Sequence, residues 1–371
     1  MTHVSAPGKL FLSGEWAVLE VGNPGIVAAV NKRVHAEVEE ADSISVSIGD
    51  FGIKDLGAKF DGKQLSWERE LSEKEKEQTQ FIRGAIETVG QYLGGLKPFS
   101  IRSWGEQSQV EIGGVAKKVG FGSSAASVVA VISALLKFNG QDIESKDAKD
   151  RIYKLSAIAH YLIQGKAGSA FDVAASTYGG VFVYQRFDPK WLMEKLESGV
   201  AIKELVDQEW PSFRAEPLEI PGGFELLIGW TKESASTSAM VKQLNTWAET
   251  DQEDYKRLYD KIANLVRELI PAWKGKDTGS VLELIRKNED YLRELGRASG
   301  VNIETEDLRR LSESANLNGA AGKLSGAGGG DCGIAVSFDQ EASEKVKGDW
   351  KKQGLYLVDA TIDYNGIMSE S

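Results

Sequence analysis

Apolar positions recur along this chain with two different periods, and the change from one to the other separates its elements. Over residues 4–38, short apolar runs at 10–13, 26–30 and 34–38 are broken by glycines, which predicts strands of an antiparallel sheet. The period then lengthens. Phe81, Ile82, Ala85, Ile86 and Val89 mark one face of a helix over 77–93, ended by Gly94-Gly95. Residues 125–138 are apolar almost all round, the pattern of a buried helix, with Gly140 as its stop. A helix over 151–163 with Ile152, Leu155, Ala159 and Leu162 on one face follows, then a strand over 180–185. The stretch 188–213 is charged and only loosely amphipathic, and prolines and glycines over 217–223 mark a domain boundary. Beyond it the pattern predicts a strand at 224–230, helices near 238–247, 255–269, 280–295 and 306–316, and strands at 333–338 and 355–363. The Glu- and Lys-rich run 67–77 reads as a solvated helix or loop. The expectation is an α+β chain of two domains, 1–216 and 217–371, since 371 residues exceed what one core usually holds.

Charge and composition narrow the partners. A net charge of -11 argues against nucleic acid or an anionic membrane as partner, since phosphate-backbone affinity comes from clustered Lys and Arg. The N-terminus carries no basic-then-apolar leader, and the longest apolar stretch, 125–136, is too short to span a bilayer. One cysteine, Cys332, precludes an internal disulfide or a cysteine-cluster metal site and suits a cytoplasmic location; it reads as a small buried residue. The expected ligand is a small molecule, bound by a monomer or a homodimer, and any anion must be met by a few well-placed cations.

The informative stretch is Gly120-Phe121-Gly122-Ser123-Ser124-Ala125-Ala126, directly before the apolar helix. Two glycines let the backbone approach a ligand, and the helix start offers free N–H groups to an anion. Ser123 and Ser124 can cap that helix or present hydroxyls to a phosphate or Mg²⁺. An ordinary glycine turn with a serine cap explains the same residues. So does a dinucleotide fingerprint, Gly120-x-Gly122-x-x-Ala125 with Asp142 twenty residues past Gly122, although no buried strand precedes it and no βα alternation fills 1–110. A second loop, Ser325-Gly326-Ala327-Gly328-Gly329-Gly330-Asp331, precedes a strand and suggests backbone lying flat against a ligand. Two such loops in different domains imply a cleft.

With Ala6-Pro7-Gly8-Lys9-Leu10 and Gly14-Glu15 before them, the two loops complete three ordered motifs that resemble the galactokinase, homoserine kinase, mevalonate kinase and phosphomevalonate kinase (GHMP) superfamily. The resemblance covers nearly the whole chain. It implies a ribosomal-protein-S5-like N-terminal domain, a ferredoxin-like C-terminal domain, and ATP between them with Mg²⁺. Within the superfamily, residues 164–174, Gly229-Trp230-Thr231-Lys232-Glu233 and residues 325–332 are most similar to phosphomevalonate kinases. Mevalonate kinases are expected to carry a metal-binding glutamate eleven residues before the aspartate; Tyr161 stands there, which leaves the metal to phosphates, water and Ser124. Trp16 stands where many phosphomevalonate kinases have tyrosine.

On that resemblance, Lys9 bridges the transferred and acceptor phosphates and Asp172 orients Lys9 and the magnesium-bound phosphates. Gly120, Gly122, Ser123, Ser124 and Ala125 hold the polyphosphate, with Trp104 and its neighbours near the adenine. Glu15, Trp16, Lys166, Ser169, Ser236, Ser238, Gly328, Gly329 and Gly330 face the acceptor, Lys166 neutralising either the acceptor phosphate or the nucleotide. His160, beside the apolar stripe of its helix, reads as a packed, hydrogen-bonded residue. Another GHMP activity, mevalonate kinase or the related decarboxylase, is the nearest alternative; a dinucleotide oxidoreductase and a silent nucleotide-binding module are more distant ones.

Overall fold

The computed structural model describes residues 1–106, 109–112, 115–165, 168–233 and 236–370. Its first sheet is built on Gly25–Glu40, a strand long enough to take Thr2–Ser13 along one edge and both Val181–Gln185 and Phe99–Gly105 along the other. Arg214–Leu218 extends the sheet beyond Val181–Gln185, and Ile44–Ile48, Ile53–Phe60 and Leu65–Trp67 extend it beyond Phe99–Gly105. Side chains on Gly25–Glu40 alternate across the sheet as the pleat requires. Val27 and Ala29 enter a core under the helices, while Ile26, Ala28 and Val30 enter a second core on the opposite face. Burial on both faces explains why this segment is an apolar run and not an alternating one.

The helix Ser123–Phe138 lies against Thr2–Ser13 and Gly25–Glu40, flanked by Glu73–Leu93, Lys146–Ile163 and Phe171–Tyr178. Val128, Val131, Ile132 and Leu135 are fully buried there, each such side chain contributing about 1.5–3 kcal/mol. The second sheet is antiparallel, in the order Ala321–Leu324, Cys332–Ser337, Glu225–Trp230, Tyr356–Val358. Its Ile228, Trp230, Ile334 and Val336 pack into the core on the far face of the first sheet, with Val266, Trp273 and Ile285 from the helices Gln252–Lys274 and Thr278–Ser299. Leu227 and Ala335 point the other way, onto Glu306–Leu317 and Gln340–Lys352 through Leu311, Val346 and Trp350. One core thus joins the two sheets and fixes the cleft between them.

The strand Arg214–Leu218 carries the first sheet two residues past the expected division after 216. The chain also comes back to it: Met368–Glu370 pairs with Thr2–Ser13, and buried Arg33 binds Asp363, the Gly366 carbonyl and Ser5. The runs expected as three short strands over 4–38 merge into two long ones, with irregular register at Pro7/Gly8 and Phe11/Ser13. The charged run 67–77 ends in a capping box of Ser72 and Glu75, so its last residues are the first turn of Glu73–Leu93. The strand expected over 355–363 shortens to Tyr356–Val358. Within the first sheet, parallel pairing joins Ile44–Ile48 to Phe99–Gly105, and the other pairings are antiparallel, which excludes the doubly wound dinucleotide fold. Among the described residues, no helix is long and apolar enough to cross a membrane.

Candidate active site

A cavity of about 840 Å³ opens where the two sheets meet, and all three glycine motifs reach it. The first motif brings Lys9 on the strand Thr2–Ser13. Its ammonium donates to the Gly120 carbonyl oxygen at 3.0 Å and its backbone N–H to Phe121 O at 2.9 Å. The ammonium also stands 5.6 Å from the Phe171 ring centre. The third motif closes the same point from the other side: the Gly120 N–H donates to Asp331 Oδ1 at 2.9 Å. A Cβ on Gly120 would lie 1.6 Å from Asp331 Oδ2, so any other residue there would push that carboxylate aside. Burial pushes the Asp331 carboxyl up, against the pull of the Lys9 charge and the Gly120 N–H.

Gly122, at φ 74°, starts the helix Ser123–Phe138 with no capping side chain. The expectation that Ser123 or Ser124 caps it is therefore corrected. Ser124 Oγ instead meets His160 Nε2 at 3.2 Å, and Ser123 lines an adjoining cleft of about 370 Å³ that shares Ser124. His160 is buried and stacked on Phe81, and burial lowers its pKa against the raising effect of Asp172. It is packed and hydrogen-bonded as expected, with its partner on the phosphate loop. Ala125 is fully buried in the first turn.

Asp172 lies in the first turn of Phe171–Tyr178, after Ala170 at φ 58°, and its Oδ1 accepts from the Val173 N–H at 3.0 Å. A Cβ on Gly122 would stand 3.0 Å from Lys9 Cγ and 3.6 Å from Asp172 Cβ, so the glycine passes directly beneath both side chains. Ser169 also lines the cavity and is nearly buried, its carbonyl accepting from the Tyr184 hydroxyl. Lys166 lies outside the described residues.

Glu15 and Trp16 form another part of the wall. Glu15 is paired with Lys323, both side chains being withdrawn from solvent. Trp16 has φ 64°, a conformation that costs a bulky residue on the order of 1–3 kcal/mol and is held by packing against Met240, Leu244 and Ile262. The Gly326–Gly330 loop contributes Gly326 and Gly328 to the cavity. Gly328 abuts the Ile303 carbonyl, where a Cβ would stand 2.1 Å from the oxygen, and the Gly329 N–H donates to that oxygen at 2.8 Å. Gly330 packs on Glu233. Much of this loop is thus held by its own domain.

Ser236 caps the helix Thr237–Thr250 by accepting from the Ala239 N–H, and its hydroxyl lies 3.2 Å from that of Ser238; both are exposed, and Thr237 between them lines the cavity. Trp104 sits on Phe99–Gly105 with its ring stacked on His35 at 5.1 Å, while Ser103, on the opposite face of that strand, lines the smaller cleft. Sequence reading gave no role to Asp331, Gln164 or Lys323. Lys323 had a signal, a single charge inside the apolar strand Ala321–Leu324. Tyr161 packs edge-on to Phe187, and Cys332 is buried with its thiol pKa pushed up by desolvation, which suits an inert packing residue.

Comparison with known proteins agrees with this arrangement. The GHMP kinases N terminal domain matches residues 80–180 and the GHMP kinases C terminal domain residues 262–355. A phosphomevalonate kinase of Streptomyces sp. (strain CL190) is 33% identical over 98% of this chain and 97% of its own. Among solved structures, the Lin0012 protein of Listeria innocua superposes with a TM-score of 0.88 at 30% identity, covering 100% of this chain and 99% of that one. The Streptococcus pneumoniae phosphomevalonate kinase in complex with phosphomevalonate and AMPPNP superposes with a TM-score of 0.82 at 27% identity, covering 98% and 100%. With its fold, its three converging motifs and a relative this similar along its whole length, the chain belongs to the GHMP kinases, with phosphomevalonate kinases among its relatives.

Proposed function

We propose that the chain transfers the γ-phosphoryl group of ATP to the phosphate of phosphomevalonate, giving diphosphomevalonate and ADP. The observation that carries the reading is the meeting of Lys9, Gly120 and Asp331, which puts a cation at the junction of two glycine loops. A phosphate oxygen of the acceptor attacks the γ-phosphorus and the bond to the ADP oxygen breaks. With a second pKa of about 6, the acceptor phosphate is already ionised at neutral pH and no base need remove a proton. The barrier lies in bringing two polyanions together, so charge and positioning lower it. Lys9 bridges the two phosphates, and Asp172, beside it over Gly122, orients the lysine.

The backbone of Gly120 and Gly122, the Ser123 and Ser124 hydroxyls and the helix start at Ala125 hold the polyphosphate. The nucleoside extends into the cleft beyond Ser124, beside Ser103 and near Trp104. Ser169, Ser236, Ser238 and the Gly328–Gly330 loop surround the acceptor with Glu15 and Trp16, and the charge of Lys166 serves to neutralise the acceptor phosphate or the nucleotide. Among the described residues, no group of three His, Cys, Asp or Glu side chains stands ready for a metal. The donor set suits Mg²⁺ taken up with the nucleotide, Ser124 and Asp172 adding hard oxygens to those of phosphate and water. The ion would neutralise charge on the phosphates. His160 holds the Ser124 hydroxyl in place. The protein works as a monomer or homodimer in the cytoplasm, and the first domain takes in the strand ending at Leu218. Coupled ADP release with phosphomevalonate, mevalonate and diphosphomevalonate tests the reading: turnover is expected with the first and far less with the others, and equal rates on mevalonate would sink the substrate assignment.

A further inference from the structure

Both polar backbone atoms of Gly120 are engaged by side chains from the other two motifs. Its carbonyl accepts from the Lys9 ammonium at 3.0 Å, and its N–H donates to Asp331 Oδ1 at 2.9 Å. The Phe121 N–H returns to the Val119 carbonyl at 2.9 Å, so Gly120 is the centre of a three-residue turn that fixes these two groups relative to each other. Lys9 is held to the same turn at its backbone, where its N–H donates to the Phe121 carbonyl at 2.9 Å. The turn is therefore a bracket that grips the lysine at both ends of its side chain.

Asp331 ties that bracket to the second domain. Its carboxylate lies against the Gly120 α-carbon, with Oδ2 1.6 Å from where a Cβ would stand. The backbone of Asp331 is itself fixed on both sides: its N–H donates to the Glu233 carbonyl at 3.0 Å, and its carbonyl accepts from the Thr231 N–H at 3.0 Å. These bonds hold it at φ 63°, a left-handed conformation in which aspartate is found more often than most residues. The end of the strand Glu225–Trp230 thus reaches the phosphate loop through one carboxylate. We propose that Asp331 is a positioning residue for the phosphoryl transfer: by its hydrogen bond to Gly120 it fixes the carbonyl that holds Lys9, and so sets where the ammonium stands between the two phosphates. The inference rests on the role given to Lys9 in the function proposed above, and adds that the second domain aims this lysine through a glycine.

The test is a double-mutant cycle read by single-turnover ADP release with phosphomevalonate. Asp331→Ala removes the bond, and Asp331→Asn keeps an acceptor oxygen without the charge. Gly120→Ala reaches the same contact from the other side by pushing the carboxylate away, and carries the comparison should Asp331→Ala fail to fold. Each is made in wild type and in Lys9→Met, with urea unfolding as the check on folding. In wild type, Asp331→Ala and Gly120→Ala are expected to lower the rate about tenfold, less than the roughly 10²-fold cost of a 1 Å misplacement, and Asp331→Asn by less than about threefold. In Lys9→Met, where no ammonium remains to be misplaced, each should cost less than about twofold. A merely structural role would lower the rate equally in both backgrounds, and that result would overturn the proposal while leaving the kinase reading intact. Unchanged rates in Asp331→Ala and Gly120→Ala would overturn it too, as would a loss in Asp331→Asn as large as in Asp331→Ala, which would assign the effect to charge. Wild type that released no ADP with phosphomevalonate would overturn the function and this inference together.

Discussion

Replacing Gly122 by alanine tests whether the phosphate loop works by letting Lys9 lie across it. The perturbation has two parts. Alanine at φ 74° is strained by about 1–2 kcal/mol whatever surrounds it. The added Cβ would also stand 3.0 Å from Lys9 Cγ and 3.1 Å from Lys9 Cε, closer than ordinary contact, so the lysine must shift by a few tenths of an ångström. Its ammonium, now 3.0 Å from the Gly120 carbonyl oxygen, moves with it. Gly140→Ala isolates the first part, because Gly140 has φ 77° and nothing within 4 Å of its ideal Cβ. Both variants should lose about 1–2 kcal/mol in urea unfolding. Gly122→Ala alone should lose kcat, by up to about tenfold, because a misplacement of 1 Å costs about 10²-fold and this one is smaller. The assay is ADP release at saturating substrates. If the two variants are equally active, the contact between Gly122 and Lys9 does not govern the reaction and the reasoning is wrong.

Lys9→Met should lower turnover by about 10²–10³-fold, more than Asp172→Asn, because it deletes the bridging charge while the asparagine keeps size and one acceptor oxygen. Single-turnover rates against pH check this; a larger loss in Asp172→Asn, with loss of the acidic limb, would point to an alcohol acceptor and a true base. Glu289 keeps its proton when folded and gives it up when unfolded once pH passes 4.5, so the native state binds more protons and stability falls as pH rises from there to about 8. Glu289→Gln should flatten that slope and be more stable than wild type at pH 8.5, as read by urea unfolding across the range.

The helix Ser123–Phe138 and its glycine turn were legible because an all-round apolar run can only be buried, and the two long strands were legible as apolar runs. The merging of those runs was not, because a strand that crosses a bulge reads locally as two. Lys9, Asp172 and the glycine loops carried their chemistry in residue type and order. Their junction did not show: Asp331 lies 211 positions from the Gly120 N–H it accepts, and no local pattern encodes a contact of that range. Ser123 and Ser124 misled as caps because a serine before a helix is the usual signal, whereas Gly122 in the left-handed region leaves the helix start open. Along Phe99–Gly105 the alternation of a strand turns Ser103 to the cleft and stacks Trp104 on His35, a division that no local sequence pattern displays.

The return of residues 361–370 to the first sheet also has a kinetic meaning. The chain leaves that sheet after Leu218 and regains it where the Asn31 N–H meets the Thr361 carbonyl, so everything between is a closed loop. Closing about 140 unstructured residues costs on the order of 4 kcal/mol in chain entropy. Early folding of the intervening sheet shortens that loop, since Glu225–Trp230 and Tyr356–Val358, near its two ends, are paired neighbours. The second sheet then acts as a splint for the first. Substitutions that weaken it delay the docking of Asp363 on Arg33, and completion of the first sheet becomes the slow step of folding although its own residues are untouched.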